Sequence, residues 1–387
     1  MHERWNLARY SVLATSARLA DEGARAGLIL LAIETAGSPG YGGLLVAALM
    51  IPHVVAAPVV GALADTVTHR KAFGSLMLVL YAVALALAAL TAGRLPAVVA
   101  VLAALTAGCA GPFLAGGLTG MLADLAPTRL RSAYGLDSTL YGVAGILGPA
   151  LTAVLTGVFT ARVAVLCLAG AAASASLLVW SLPLGRRAAA TSKIALGGVV
   201  QVFVRSPALG SATVASSLGF LGMSALPIAA ALLAGEAMTG IVLSVSAAGL
   251  LAGSLLYVRV PLPRWAPENA VLLLVSSIAV PFAVAALFPH VPAVNLPAFA
   301  LAGVCNGLLL CSLLVVRDRA APPALHTQVF TVGAGVKSAA GAAGAALAGA
   351  CAGLGAPAVL AGIAFCHVLA AALGAVVLKP SVAEAAD

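Results

Sequence analysis

The chain has 387 residues, 62% of them hydrophobic and 8% charged, against roughly 25% charged in an ordinary soluble domain. That leaves too little polar surface to cover a water-soluble fold, so a soluble enzyme is excluded. The formal net charge of +8 is scattered over many short segments rather than gathered into one stripe, so it does not point to a nucleic-acid partner.

The apolar residues form runs of about 20, the length that crosses a hydrocarbon layer as a helix. Barrel strands would alternate apolar and polar residues, and these runs do not. The expected fold is therefore all-α and integral to the membrane, with twelve transmembrane helices at 10–34, 43–63, 72–92, 96–123, 134–158, 161–183, 207–234, 238–258, 269–289, 292–316, 328–352 and 355–378. The first run is interrupted by charges and has no cleavage site, unlike a signal peptide.

Span 1 carries Arg18, Asp21, Glu22 and Arg25. At about 100° per residue all four fall on one helix face, where i, i+3 and i+4 neighbours can pair. Ionisable groups in a membrane cost roughly 2.5–3.5 kcal/mol each on insertion scales, so they are candidates for function. Two readings stand: an ion cluster that locks span 1 to its neighbours, or an acid, Asp21 or Glu22, that gains and loses a proton. Span 2 holds His53 after Pro52, and is followed by Gly61-Ala-Leu63-Ala-Asp65-Thr66-Val67-Thr68-His69-Arg70-Lys71. Asp124 ends span 4 and Asp137 lies one turn into span 5, which continues as Gly142-Val-Ala-Gly145-Ile-Leu-Gly148-Pro149. Small residues at such spacing let two membrane helices approach closely.

The second half adds Asn306 in span 10, Lys337 in span 11 and His367 in span 12. The run Gly333-Ala-Gly335-Val-Lys337-Ser338 is not a phosphate loop, because Val336 replaces the required glycine and the segment is an apolar helix. Lys337 serves either as counter-ion to an anionic substrate or to the span 1 acids, or it reaches to the membrane surface. The cysteines Cys109, Cys167, Cys305, Cys311, Cys351 and Cys366 all lie in apolar runs, with no Cys-x-x-Cys pair. Neither disulfides, a metal nor a cofactor is expected.

Of the 20 Lys and Arg, 15 fall in loops on one side (Arg4, Arg9, Arg70, Lys71, Arg129, Arg131, Arg186, Arg187, Lys193, Arg205, Arg259, Arg264, Arg317, Arg319, Lys379) and two, Arg94 and Arg162, on the other. Positive loops stay in the cytoplasm, so both termini are expected there, in a cell's plasma membrane. The longest loop, 184–206, separates a bundle at 1–183 from one at 207–387. An offset of 196 residues lays Leu105-Thr-Ala-Gly-Cys109-Ala-Gly111 over Leu301-Ala-Gly-Val-Cys305-Asn-Gly307, Pro127 over Pro323, Tyr134 over Phe330 and Arg9 over Arg205. This is a parallel internal repeat of two pseudo-symmetric six-helix bundles.

The segment from Gly61 to Lys71 resembles the loop signature of the major facilitator superfamily, Gly-x-Leu-x-Asp-Arg-x-Gly-Arg-Arg/Lys. Gly61, Leu63 and Asp65 match, while Thr66, Thr68 and His69 depart from it. The resemblance covers the whole chain. It implies that Asp65 lies against the start of span 11 when the cytoplasmic side is closed, and that Asp124 pairs with Arg70 or His69. Gly145, Gly148 and Pro149 resemble a signature of the exporting branches, without the usual Gly-Gly after proline. The implied protein is a monomeric secondary transporter that moves an amphipathic small organic substrate outward in exchange for protons by alternating access. The rivals are an uptake symporter for a small anion and a non-transporting sensor or assembly partner with the same fold. An impermeant thiol reagent added outside sealed cells is expected to label Ser38→Cys, in a cysteine-free background, and to miss Ser192→Cys; labelling at position 192 reverses the orientation.

Overall fold

The computed structural model describes residues 2–185, 196–259 and 266–378; Arg186, Arg187, Ser192, Lys193, Arg264, Trp265 and Lys379 lie outside them. No strand occurs among the described residues. The helices are α1 (His2–Ala36), α2 (Pro39–Met50), α3 (Pro52–Thr66), α4 (Arg70–Thr91), α5 (Ala97–Pro112), the single turn α6 (Leu122–Leu125), α7 (Leu130–Val158), α8 (Ala161–Leu178), α9 (Leu196–Arg205), α10 (Pro207–Met223), α11 (Leu226–Arg259), α12 (Pro267–Leu287), α13 (Pro292–Ala320), α14 (His326–Cys351) and α15 (Ala356–Leu378).

Among the described residues, ten stretches are long and apolar enough to cross a membrane. Each matches an expected span to within a few residues, except that the fourth, Pro127–Val158, starts seven residues before the 134 expected for span 5. The two remaining expected spans correspond to α1, which carries the ionisable face, and α14, which is rich in Gly and Ala and contains Lys337. With these two included, the count fits twelve. Two details differ from expectation. The second span is broken at Pro52, which has no N–H to continue the ladder, so it is α2 followed by α3. The backbone pauses at Ser224–Ala225 and is helical from Leu226 to Arg259, so the expected interruption at 235–237 is not a break in helix. Pro227 sits in the first turn of α11, where its missing N–H costs nothing.

By proximity the chain forms two units. One is Met1–Ala133, Leu140–Leu196 and Pro322–Gly335; the other is Tyr134–Thr139, Gly197–Ala321 and Val336–Asp387. Within the first, α1 and α4 both pack on α8, and α4 and the α2–α3 pair pack on α5. Within the second, α10 and α12 both pack on α15, and α12 and α11 pack on α13. Counted as spans, these are the same four pairings, as the 196-residue repeat requires.

Helix α4 shows what holds such a unit. Leu76, Val79, Val83, Leu87 and Leu90 form an exposed stripe, while Gly74, Leu78, Tyr81, Ala82, Leu85, Ala88 and Ala89 are buried. Both faces are apolar; the outward stripe is all Leu and Val, while the inward face mixes Gly and Ala with Leu78, Tyr81 and Leu85. Lipid tails solvate leucine as well as protein does, so association comes from close van der Waals approach. The α11–α13 contact takes this to its limit. A Cβ added at Gly249 would meet the Ala300 carbonyl, at Gly253 that of Val304, at Gly303 that of Ser246 and at Gly307 that of Leu250. In the first unit Gly108 of α5 abuts the Leu49 carbonyl in the same way.

Overpacking such a contact costs about 1–3 kcal/mol. Gly303→Ala is therefore expected to lower the unfolding temperature in detergent by several degrees. Gly145→Ala and Gly170→Ala, where the added Cβ meets nothing within 4 Å, should leave it unchanged. Equal melting of all three would mean that α11 and α13 are not at contact distance.

Candidate functional site

Helix α1 brings its charges into the first unit by means of two glycines. At Gly23 a side chain would strike Leu168 and Thr152, and at Gly27 it would strike Val165. Gly148 of α7 is the reciprocal element, since its Cβ would meet the Gly23 nitrogen and the Glu22 side chain. The Thr152 hydroxyl donates to the Gly23 carbonyl at 3.3 Å. Of the motif read from the sequence, Gly148 thus makes the close approach, Pro149 follows it inside α7, and Gly145 faces open space.

The ion cluster is centred on Arg25. One guanidinium nitrogen donates to Asp21 and another to Glu22, each at 2.9 Å. Asp21 also accepts from the Tyr81 hydroxyl of α4 at 3.2 Å. The side chains of Arg25 and Glu22 are 32% and 25% exposed, whereas that of Asp21 is 8% exposed. One carboxylate is therefore enclosed and the other borders open space. Arg18, 2% exposed, lies one to two turns away. It donates to Thr119 at 3.1 Å and stacks on the Tyr141 ring at 3.6 Å, with the Tyr10 hydroxyl at 3.5 Å.

The Tyr141 and Thr119 that hold Arg18 are themselves placed by an irregularity in the fourth span. After Pro112 the helix widens into a π-turn, Phe113–Gly117, in which the Leu118 N–H reaches back to the Phe113 carbonyl. Ala115 in this turn accepts hydrogen bonds from both the Tyr141 and the Thr119 hydroxyls. Such turns are frequent at functional sites. The remaining sequence candidates are dispersed. His53 is buried beside Gly111, with Nδ1 bonded to the Leu49 carbonyl at 3.0 Å. Asn306 is half-buried in α13. Lys337 is half-buried in α14, its ammonium 4.5 Å from the Phe220 ring centre. His367 is fully buried, with Nδ1 on the Ile363 carbonyl.

A second set of charges lies at the end of α3. The two oxygens of Asp65 accept from the Thr327 and Gln328 N–H groups at 2.9 and 2.8 Å. These are first-turn donors of α14, where an anion is favoured by unfilled N–H groups and by the helix dipole. Gly61, one turn earlier, lets α3 press against the backbone of Gln328. The contact is extended by the Thr331 hydroxyl on the Ala57 carbonyl at 2.9 Å and the Gln328 amide on the Pro58 carbonyl at 3.1 Å. Asp124 is paired with Arg70 at 2.5 Å; His69 immediately precedes α4, makes no capping hydrogen bond with its side chain and is exposed. Of the two partners offered by the sequence, Arg70 therefore takes the place. At the start of α1, hydrogen bonds from Thr128 hold the Glu3 carboxyl below the usual carboxylate range.

Four partners were not singled out in the sequence: Tyr10, Tyr81, Tyr141 and Thr119. The signal was present, because tyrosine is scarce in this chain and its hydroxyl needs a partner when buried in an apolar run. Glu34 was also missed; it accepts from the Ala161 N–H and so caps α8 as Asp65 caps α14.

A family model described as Major Facilitator Superfamily matches residues 12–345. An uncharacterised MFS-type transporter of Sinorhizobium fredii (strain NBRC 101917 / NGR234), y4rN, is 31% identical over 223 residues, 56% of this chain and 54% of the relative. The match thus spans about half the length of that curated relative. Among solved structures the fold is similar to the human organic anion transporter MFSD10 (TM-score 0.74, 17% identity, 98% of this chain and 100% of that one). It is equally similar to the E. coli fucose:proton symporter FucP (TM-score 0.74, 13% identity, 98% and 100%). A third likeness is the proton:xylose symporter XylE (TM-score 0.70, 11% identity, 97% of each).

The Asp65 contact yields a graded expectation. Asp65→Ala leaves two enclosed N–H groups without acceptors, a loss of about 1–3 kcal/mol. Asp65→Asn keeps one oxygen and loses the charge, and should fall between alanine and wild type. Unfolding temperatures in detergent check the order; identical values for all three would mean the carboxylate does not hold α14 in solution.

Proposed function

The chain belongs to the major facilitator superfamily and is a multi-pass secondary transporter of small molecules, not an enzyme; from that premise we propose that it exports an amphipathic small organic compound in exchange for protons. The observation that carries the reading is the α1 cluster, where Arg25 holds two adjacent carboxylates with unequal access to open space. The two adjacent carboxylates share one guanidinium, so proton uptake by either removes one of its two ion pairs. A proton arriving at Glu22 releases one of Arg25's two ion pairs, and a cationic substrate group can compete with Arg25 for Asp21.

Two further features support the reading. Gly148, in the motif similar to that of exporting branches, packs directly on Gly23 and Glu22, so any change in the cluster is felt at the α1–α7 contact. The spans that line the cavity in this family, here α1, α5, α10 with the start of α11, and α13, carry mostly Ala, Gly, Leu, Ser and Thr, which suits a substrate of low polarity. We read 1–183 and 207–387 as the two moving six-helix bundles of a monomer, with 184–206 and both termini cytoplasmic in a bacterial plasma membrane. We read the capping of α14 by Asp65, braced by Arg70 and Asp124, as the latch that holds the cytoplasmic side closed. His53, Asn306 and Lys337 are the secondary candidates for the transport path.

Uptake of a small anion is the second reading, and the buried guanidinium of Arg18 is what favours it. Proteoliposomes with an imposed pH gradient separate the two. Under export by exchange, substrate moves against the proton flow, and Asp21→Asn or Glu22→Gln abolishes the dependence on the gradient while the protein still inserts. Co-movement of substrate and protons supports uptake instead. Wild-type gradient dependence in both variants would show the cluster to be structural.

A further inference from the structure

Arg25 makes its ion pairs within its own helix, to Asp21 at i−4 and to Glu22 at i−3. It is Asp21 that reaches across to α4, through the Tyr81 hydroxyl, and the close approach at Gly23 and Gly148 that ties α1 to α7. Arg25 is therefore not the strut that joins α1 to its neighbours. A cation in an apolar span costs roughly 2.5–3.5 kcal/mol on insertion scales, and here it secures no contact between helices. What it does is fill a site that two carboxylates make.

The way it fills that site is specific. Nη1 donates to Glu22 Oε2 and Nη2 to Asp21 Oδ2, both at 2.9 Å. The third nitrogen, Nε, is buried and makes no hydrogen bond among the described residues. The acids thus read only the two-pronged end of the guanidinium, one prong each. A planar carbon bearing two NH2 groups and a delocalised positive charge is also what an amidinium ion offers. A primary ammonium is a single point of charge, and a neutral amide presents one NH2 and an oxygen that carboxylates repel.

The surroundings specify what such a cation can be attached to. The Glu22 and Arg25 side chains are 25% and 32% exposed, so the fork can be approached from open space. From Glu22 the same helix face continues at i+4, i+7 and i+11 through Ala26, Ile29 and Ile33. Ala26 is half-buried, and Ile29 and Ile33 are 38% and 43% exposed. The charged fork opens onto an aliphatic stripe.

We infer that Arg25 is a tethered stand-in for the substrate, and that the substrate is an amphipathic amidinium or guanidinium compound. Its flat cation replaces the Arg25 fork on Asp21 and Glu22, and its apolar body lies along Ala26, Ile29 and Ile33. Given the proposed role of the α1 cluster in transport, on which this class rests, Arg25 becomes the residue that sets selectivity. An entering ligand must displace a side chain already in place, which excludes cations that cannot bridge both acids. The tethered arm lowers the apparent affinity of every competitor by the fraction of time the fork is filled.

Benzamidine is the probe, with benzylamine (one nitrogen on a similar ring) and benzamide (neutral, of nearly the same shape) as controls. Two measurements use the full chain. Binding is read as thermal stabilisation in detergent. Exchange is read in proteoliposomes with equal benzamidine on both sides, labelled on one, so that no gradient, direction or proton coupling enters. Wild type should bind and exchange benzamidine several-fold better than benzylamine and should ignore benzamide. Arg25→Ala should bind benzamidine about tenfold more tightly than wild type, because the competitor is gone. Adding Glu22→Gln or Asp21→Asn should abolish that gain, a loss of about tenfold for one charged hydrogen bond. Should Arg25→Ala not fold, Arg25→Lys, which keeps the charge and loses the fork, should show the same direction of change. Equal binding of benzylamine and benzamidine to wild type would overturn the amidinium class. Binding to Arg25→Ala without exchange by wild type would overturn the substrate role and leave Arg25 as a neutraliser of the two acids. Benzamidine exchange by a protein whose transport ignores the pH gradient would sustain the class while removing the proton coupling.

Discussion

In a hydrocarbon solvent, helices gain nothing from hiding leucine from their surroundings, and what remains to hold them together is the distance of closest approach. The rest of this fold follows from that constraint. Glycines are spent where backbones touch, as at Gly249, Gly253, Gly303 and Gly307 between α11 and α13 and at Gly23 and Gly148 between α1 and α7. Bulky aliphatic residues are left on the outside, as the exposed stripe of α4 shows. Alanine fills the interior, and 41 glycines in 387 residues is the compositional trace of the same economy.

Close approach also decides how charge is handled. A carboxylate in low dielectric needs its partner within hydrogen-bond reach, and a tightly packed helix can supply one only from its own next turn or from a neighbour at contact. Helix α1 uses both routes: Arg25 is on the same helix, and Tyr81 reaches over from α4. Asp65 meets the need with the backbone N–H groups of Thr327 and Gln328. The helix start it caps comes within reach because Gly61 removes the side chain that would stand between them. In each case a glycine near an acid sets the geometry, and the acid supplies the interaction that can be switched.

The all-helical membrane organisation, and ten of the expected spans, were legible in the sequence because apolar run length is a one-dimensional signal that tolerates errors of a few residues. Even the charged first span was legible, since its four ionisable residues keep helical spacing. Asp65 was legible through its neighbours Gly61 and Leu63. What sequence did not carry was which of two similar residues is used. Gly145 and Gly148 look alike on the page, yet only Gly148 is at contact. His69 and Arg70 are adjacent bases, yet the turn into α4 leaves one in solvent and buries the other against Asp124. These choices depend on helix rotation, to which run length is blind. The tyrosine partners were lost for a related reason: a hydroxyl in an apolar run signals that a bond exists, but the acceptor is a helix away.

The widened turn at Phe113–Gly117 has a consequence for the whole fourth span. A surplus residue in one turn shifts the phase of everything after it by roughly 100° relative to a regular helix. The upper segment, through Gly108 and Gly111, presents small residues to the Leu49 carbonyl and to His53. The lower segment, through Gly116 and Gly120, presents them to the backbone at Phe330 and to Thr327, at the start of α14. Two partners in different directions are met by one continuous stretch of chain, as a rod does with a built-in twist and without a joint. The span therefore behaves as two half-helices with separate clients, geared to each other through five residues.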